Sequence, residues 1–318
     1  MIFSQATPFI PLRPVPKNGR IALTSPASSP DSEKLKRGIA YLEHRGYSVK
    51  VGQTCYSKTD YLAGDDAMRA NEFLDFIEDD SIDAVFCTRG GFGSMKILRM
   101  LDFELIREKK KLLVGFSDIT SLLLAIYAKT GVSGISGMMP AYNFSEDFIP
   151  EKEEHQFWSL VETGEFEYDF SQPLTKLNDV EETSFSGPMI AGTLSLLTKL
   201  IGTPYAPDLR GHILLLEDIG ERVHKLESYF EHLSLSGALN ETAALLLGDF
   251  TPADSEEYSE VPSHDEMIYR VFKSYRKPFY SNLNYGHIPN LLSMPIGLPL
   301  EFSISEQSHV RTLKNLFE

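Results

Sequence analysis

The first half of the chain alternates short apolar runs with helix-period stripes. That alternation constrains the fold more than any other feature. Arg20–Thr24 is an apolar run that ends in the turn-rich Ser25-Pro26-Ala27-Ser28-Ser29-Pro30. Leu35, Ile39 and Leu42 then recur at helical spacing, with Gly46 as a C-terminal cap. Tyr47–Val51 alternates like a strand, and Ala70, Phe73/Leu74 and Ile77 form the next stripe. Ile82–Cys87 reads as a buried strand, followed by a helix through Met95, Leu98 and Leu101. Lys111–Phe116 is again a strand, and Ile119–Ala128 a strongly apolar helix. Strands separated by helices cannot pair as hairpins, so parallel pairing is expected, with helices on the sheet faces.

At 318 residues the chain has room for two domains. The stretch from Glu151 to Glu182 is acidic, aromatic and weakly periodic, so it is expected to be a linker. Residues 1–150 would then form one domain and residues 183–318 the other. The second half is expected to hold a helix with Ile190, Leu194 and Leu197 on one face and a strand over His212–Leu216. An amphipathic helix with Val223, Leu226, Phe230 and Leu233 comes next, then a strand from Ala243 to Leu247. The alternation Leu300–Ile304 in the tail reads as β.

Thirty Lys and Arg stand against 45 Asp and Glu, a net charge of −15. Such a surface repels phosphates, which argues against nucleic acid or an anionic membrane as partner. Two cysteines, Cys55 and Cys87, are too few for a disulfide framework and lack metal-ligand spacing. The N-terminus has four prolines (Pro8, Pro11, Pro14, Pro16) and reads as an extended arm. It has no basic segment leading into an apolar run of about 7–15 residues, as a secretory signal would. No stretch approaches the roughly 18 apolar residues of a membrane span. The expected compartment is the cytoplasm.

Gly115-Phe116-Ser117-Asp118-Ile119-Thr120 sits where a buried strand meets an apolar helix. A sharp turn there lifts the Ser117 hydroxyl clear of the sheet and aims unpaired helix-start N–H groups at the same point. An acyl-transfer nucleophile needs both. Ile119 replaces the second glycine of Gly-x-Ser-x-Gly, and a plain helix cap by Ser117 or Asp118 explains the same residues. Arg89-Gly90-Gly91-Phe92-Gly93-Ser94 also lies between a strand and a helix. It fits neither phosphate-loop pattern and remains a tight turn or an oxyanion loop offering the Gly91 N–H.

A serine nucleophile needs a base, and the base an orienting acid. Of eight histidines, His287 stands in the Gly/Pro loop Asn284-Tyr285-Gly286-His287-Ile288-Pro289, which can present an imidazole. Glu217 follows the apolar run ending at Leu216, where a carboxylate requires a partner. An acidic cluster favouring the start of the next helix explains Glu217 and Asp218 equally.

Taken together, these residues resemble the LD-carboxypeptidase family of serine peptidases. That family includes muramoyl-tetrapeptide carboxypeptidases and microcin-C immunity hydrolases. The likeness runs through Thr24–Ser29, Tyr61-Leu62-Ala63-Gly64 with Arg69-Ala70, and Arg89–Gly93. It continues through Gly115–Thr120, Gly202-Thr203-Pro204-Tyr205, Leu216–Glu221, Leu247-Gly248-Asp249-Phe250, Gly286-His287 and Pro295-Ile296-Gly297. The resemblance implies an α/β fold, with an N-terminal parallel-sheet Rossmann-like domain and a C-terminal β-rich α/β domain. It implies Ser117 as nucleophile, His287 as base and Glu217 as the orienting acid. It further implies oxyanion donors at the Gly91 and Asp118 N–H groups, a homodimer, and neither metal nor other cofactor.

Three stretches depart from the family's habits: Ser136-Gly137-Met138 for His-Gly-Pro, Ala191-Gly192-Thr193 for Gly-Gly-Asn, and Leu283–Gly286 before the histidine. The expected reaction is release of D-Ala from a cytoplasmic murein tetrapeptide. Such a peptide carries carboxylates, so an acidic protein must supply a local cation. Arg89 is the candidate, with an internal ion pair as its alternative role, and Gly90 beside it is expected to line the substrate site too. Competing expectations are hydrolysis of a peptidyl-nucleotide amide and a non-catalytic two-domain binding protein.

Overall fold

Wholly apolar runs form the centre of a parallel sheet. In the computed structural model, which describes residues 8–253 and 262–318, the first five strands are β1 (Arg20–Thr24), β2 (Ser48–Val51), β3 (Ala84–Cys87), β4 (Leu112–Gly115) and β5 (Ile135–Ser136). They lie in the order β5-β4-β3-β1-β2, each pair parallel. Every residue of β3 and β4 is buried, as both faces of such a sheet are covered. The covering helices are α1 (Ser32–His44), α2 (Asp66–Glu78), α3 (Ser94–Ile97), α4 (Phe103–Lys109) and α5 (Thr120–Thr130). Asp31 caps α1 by accepting the Glu33 and Lys34 N–H groups. The expected helix through Met95, Leu98 and Leu101 breaks up into α3 and a short 3₁₀ turn, Leu98–Met100.

The next elements are α6 (Glu151–Thr163), β6 (Glu167–Asp169), β7 (Thr175–Lys176), β8 (Ser184–Thr193) and α7 (Leu194–Leu200). They are followed by β9 (Ile213–Glu221), α8 (Val223–Leu235), β10 (Ala244–Pro252), α9 (His264–Phe272) and β11 (Phe279–Ser281). The last are β12 (Met294–Pro295), β13 (Pro299–Ser303) and β14 (His309–Thr312). Eight of the later strands form a second sheet, β6-β14-β13-β8-β9-β10-β11-β7. Its centre, β8-β9-β10-β11, is parallel and its flanks are antiparallel.

The stretch 151–182, expected to link, is built into the fold. Phe157, Trp158, Leu160 and Val161 of α6 are buried, and Trp158 stacks on Tyr47 with ring centroids 5.2 Å apart. β6 and β7 then close the two edges of the second sheet. The helix expected through Ile190 starts only at Leu194. Ile190 itself lies in β8, where Gly187, Pro188 and Gly192 disfavour helix.

The two sheets are tied together by more than one crossing. β12, from the far end of the chain, pairs antiparallel with β5 and makes the first sheet six-stranded. The extended arm docks as well: Leu12 N–H donates to the Leu316 carbonyl at 2.8 Å. Residues 1–7 of the arm lie outside the described residues. Among the described residues no helix is long and apolar enough to cross a membrane.

Candidate active site

β4 ends at Gly115, and the chain turns sharply at Ser117. Phe116 is extended at φ −153°, whereas Ser117 adopts φ +62°. The left-handed region is costly for a residue with a Cβ and is held here by its surroundings. A single 3₁₀ turn, Ser117–Ile119, then leads into α5, and neither the turn nor α5 has a side-chain cap. The plain-cap explanation of Ser117 and Asp118 therefore does not describe this turn. Asp118 instead serves a neighbour. Its Oδ2 accepts the Ser94 N–H at 2.8 Å at the start of α3, and its carbonyl accepts the Ser94 hydroxyl at 2.5 Å. Burial pushes the Asp118 carboxyl upward, opposed by that Ser94 N–H.

The Ser94 bonds draw the loop Arg89–Gly93 onto the serine. A Cβ on Gly90 would fall 2.7 Å from Ser117 Cβ and 2.9 Å from both Ser117 Oγ and the Asp118 nitrogen. Only glycine allows that approach. Arg69, fully buried, holds the loop from behind. Its Nη1 donates to the Pro26 carbonyl at 2.5 Å and the Gly93 carbonyl at 2.9 Å, and its Nη2 pairs with Asp66. The backbone of Gly90 thus runs beside the serine, and Gly91, at φ +106°, packs next to Ser28. The Asp118 N–H belongs to the first turn of a helix, where such groups have no intrahelical partner.

The second sheet supplies the rest. Glu217 lies in β9 with 0% exposure, and His287 lies in the loop between β11 and β12. His287 Nδ1 is 2.8 Å from Glu217 Oε2, and His287 Nε2 is 3.0 Å from Ser117 Oγ. A carboxylate only accepts, so Nδ1 carries the proton and donates to Glu217. Nε2 is then left to accept the Ser117 hydroxyl. The other carboxylate oxygen of Glu217 accepts the Thr193 hydroxyl at 2.6 Å. The imidazole packs against Phe116, with ring centroids 4.9 Å apart. The expected acidic cluster at a helix start also resolves: Glu217 and Asp218 are both within β9. Asp218 Oδ2 accepts the Ser195 N–H at 2.7 Å in the first turn of α7. Its carboxyl is pushed up to about 6, chiefly by burial.

A cleft of about 460 Å³ opens beside His287, lined by Tyr142, Asn143, Phe148, Ile149, Ile288 and Pro289 among others. Arg89 is half-buried, and its Nη1 donates to the Ser29 carbonyl at 3.3 Å. It forms no ion pair among the described residues. His212, by contrast, is a core residue, 2.9 Å from the Tyr127 hydroxyl and 3.0 Å from the Arg210 carbonyl. Among the described residues no three His, Cys, Asp or Glu side chains gather as metal ligands would.

Three residues around the site carried no role in the sequence reading. Arg69 stood in a quoted motif, Ser94 closed the glycine loop, and Thr193 ended one of the departures from the family's habits. The bonds from Arg69 to Gly93, Ser94 to Asp118 and Thr193 to Glu217 each join residues 24 positions apart, which spacing alone does not reveal.

Comparison with known proteins finds two matching stretches of the chain. One family model, described as LD-carboxypeptidase N-terminal domain, matches residues 21–137. Another, described as LD-carboxypeptidase C-terminal domain, matches residues 186–302. The chain is similar to a probable murein peptide carboxypeptidase of Bacillus subtilis (strain 168), 31% identical over 294 residues and 92% of each chain. It is also similar to the microcin C7 self-immunity protein of Escherichia coli, 27% identical over 321 residues and 91% of each. The solved muramoyltetrapeptide carboxypeptidase from Oxalobacter formigenes aligns with a TM-score of 0.82 at 24% identity, covering 93% of this chain and 99% of that one.

Proposed function

The chain belongs to the LD-carboxypeptidase family, and from that premise we propose that it is a serine carboxypeptidase acting on murein tetrapeptide in the cytoplasm. The family supports carboxypeptidase activity. The observation that carries the serine mechanism is the line Ser117 Oγ, His287 Nε2, His287 Nδ1, Glu217 Oε2, with links of 3.0 and 2.8 Å.

In this reading His287 Nε2 takes the Ser117 proton as Oγ attacks the carbonyl before the terminal D-alanine. The Gly91 and Asp118 N–H groups receive the developing oxyanion, where preorganised donors act most strongly. His287 then gives its proton to the leaving amine. Water, deprotonated by the same nitrogen, attacks the acyl-enzyme and frees Ser117. Glu217 accepts the hydrogen bond from Nδ1–H and keeps the imidazole in the productive tautomer. Arg89 is the cation that receives a substrate carboxylate, since the net charge of −15 repels such a peptide at long range.

The test is incubation of the purified protein with murein tetrapeptide and assay of released D-alanine, beside a peptidyl-nucleotide amide. Release of D-alanine that disappears in Ser117→Ala supports the reading. Undiminished release by Ser117→Ala overturns the mechanism. Turnover of the nucleotide amide without the tetrapeptide overturns the substrate.

A further inference from the structure

Thr193, the last residue of β8, is in contact with both halves of the site. Its backbone N–H donates to Thr120 Oγ1 at 3.2 Å. Thr120 opens α5, the helix that begins three residues after Ser117. The Thr193 hydroxyl donates to Glu217 Oε1 at 2.6 Å. The Ser117 carbonyl is farther away, at 3.5 Å, so the one hydroxyl proton goes to the carboxylate. Thr193 and Glu217 are direct register partners on adjoining parallel strands. One residue earlier, a Cβ on Gly192 would run into the Thr120 side chain. β8 therefore packs tightly against the Thr120 side chain of α5.

Glu217 has no exposure and Thr193 has 5%, so water cannot replace this bond. The terminal torsion of a glutamate is broad and soft. With Oε2 alone engaged, the carboxylate plane is free to swing and the imidazole to swing with it. With both oxygens engaged, it is fixed. Removing the hydroxyl also leaves a buried carboxylate oxygen without its donor, which favours such a swing.

We propose that Thr193 is a positioning residue for the hydrolytic reaction. It locks the Glu217 carboxylate in the orientation that holds His287, and registers it against the helix carrying Ser117. The inference rests on the Ser117–His287–Glu217 reading above. Thr193 is buried and its hydroxyl is taken up by Glu217, so its effect is expected on turnover rather than on substrate affinity.

The test compares Thr193→Val, which keeps the shape and drops the hydroxyl, with Thr193→Ser, which keeps the hydroxyl. The readouts are kcat and KM on murein tetrapeptide, and the rate at which a fluorophosphonate labels Ser117. Thr193→Val is expected to lower kcat and labelling by roughly 10- to 100-fold with KM within about twofold. Thr193→Ser is expected to stay within about threefold of the wild type. In a Glu217→Gln background, Thr193→Val should add less than about threefold, because the two act as one unit.

Retained turnover in Thr193→Val, a Thr193→Ser variant as poor as Thr193→Val, or a full loss on top of Glu217→Gln would each overturn the inference. Should Thr193→Val not fold, by circular dichroism, Thr193→Ala takes its place in the same cycle. Undiminished labelling in Glu217→Gln and His287→Ala would sink the underlying triad reading instead. Loss in those two with Thr193→Val unaffected would sink only the role of Thr193.

Discussion

Gly90 lies so close against Ser117 that a methyl group on it would stand 2.7 Å from Ser117 Cβ and 2.9 Å from Ser117 Oγ. The added methyl would also sit 2.9 Å from the Asp118 nitrogen, beside the N–H proposed as oxyanion donor. Gly90→Ala therefore forces the loop and the nucleophile turn apart. Activity on murein tetrapeptide should fall by about 100-fold or more, the scale of losing an oxyanion donor. Retention of wild-type kcat would mean the loop has no part in catalysis.

Tyr285 is fully buried, and its hydroxyl lies 2.6 Å from Ser136 Oγ. The bond joins the first sheet to the loop that carries His287. Tyr285→Phe leaves the Ser136 hydroxyl with no partner from Tyr285 and should cost about 1–2 kcal/mol. Urea unfolding measures this directly. A change below about 0.3 kcal/mol would show that Ser136 finds another acceptor.

Asp218 gives the protein a pH dependence of stability with a defined sign. Burial raises its carboxyl from 3.8 to about 6. Between those values the unfolded chain is ionised at this position while the folded chain holds the proton. Stability from this group is thus present below about 3.8 and is lost as pH rises through about 6. Asp218→Asn, neutral throughout, should remove a fall on the order of 2–3 kcal/mol across that window. Urea midpoints for the two proteins at a series of pH values decide it. Parallel curves would contradict the prediction.

How much of this was legible in the chain follows from what is local and what is not. β3 and β4 were legible because four consecutive buried residues leave an unbroken apolar run. The end of β8 reads as helix because Ile190, Leu194 and Leu197 keep helical spacing across a strand–helix junction. The period counts residues and does not see the change of backbone between Thr193 and Leu194. β12 has two residues and pairs with β5 about 160 positions earlier, a contact written in no local pattern. The stretch 151–182 looked like a linker because acidic side chains outnumber the buried face of α6.

At the site, Ser117, Glu217 and His287 were named from motifs, and their separation of up to 170 positions is closed only by the docking of the two sheets. Arg69 was visible as a letter in a motif but not as a fully buried cation under the glycine loop. That role depends on where Gly93 and Pro26 come to lie.

In the proposed mechanism His287 and Glu217 make Ser117 nucleophilic. Brief exposure to a fluorophosphonate, followed by peptide mass spectrometry, tests it without assuming a substrate. One adduct per chain is expected, on the peptide containing Ser117, with at least a roughly 100-fold slower reaction in His287→Ala. An adduct elsewhere, or equal labelling of wild type and His287→Ala, would contradict it.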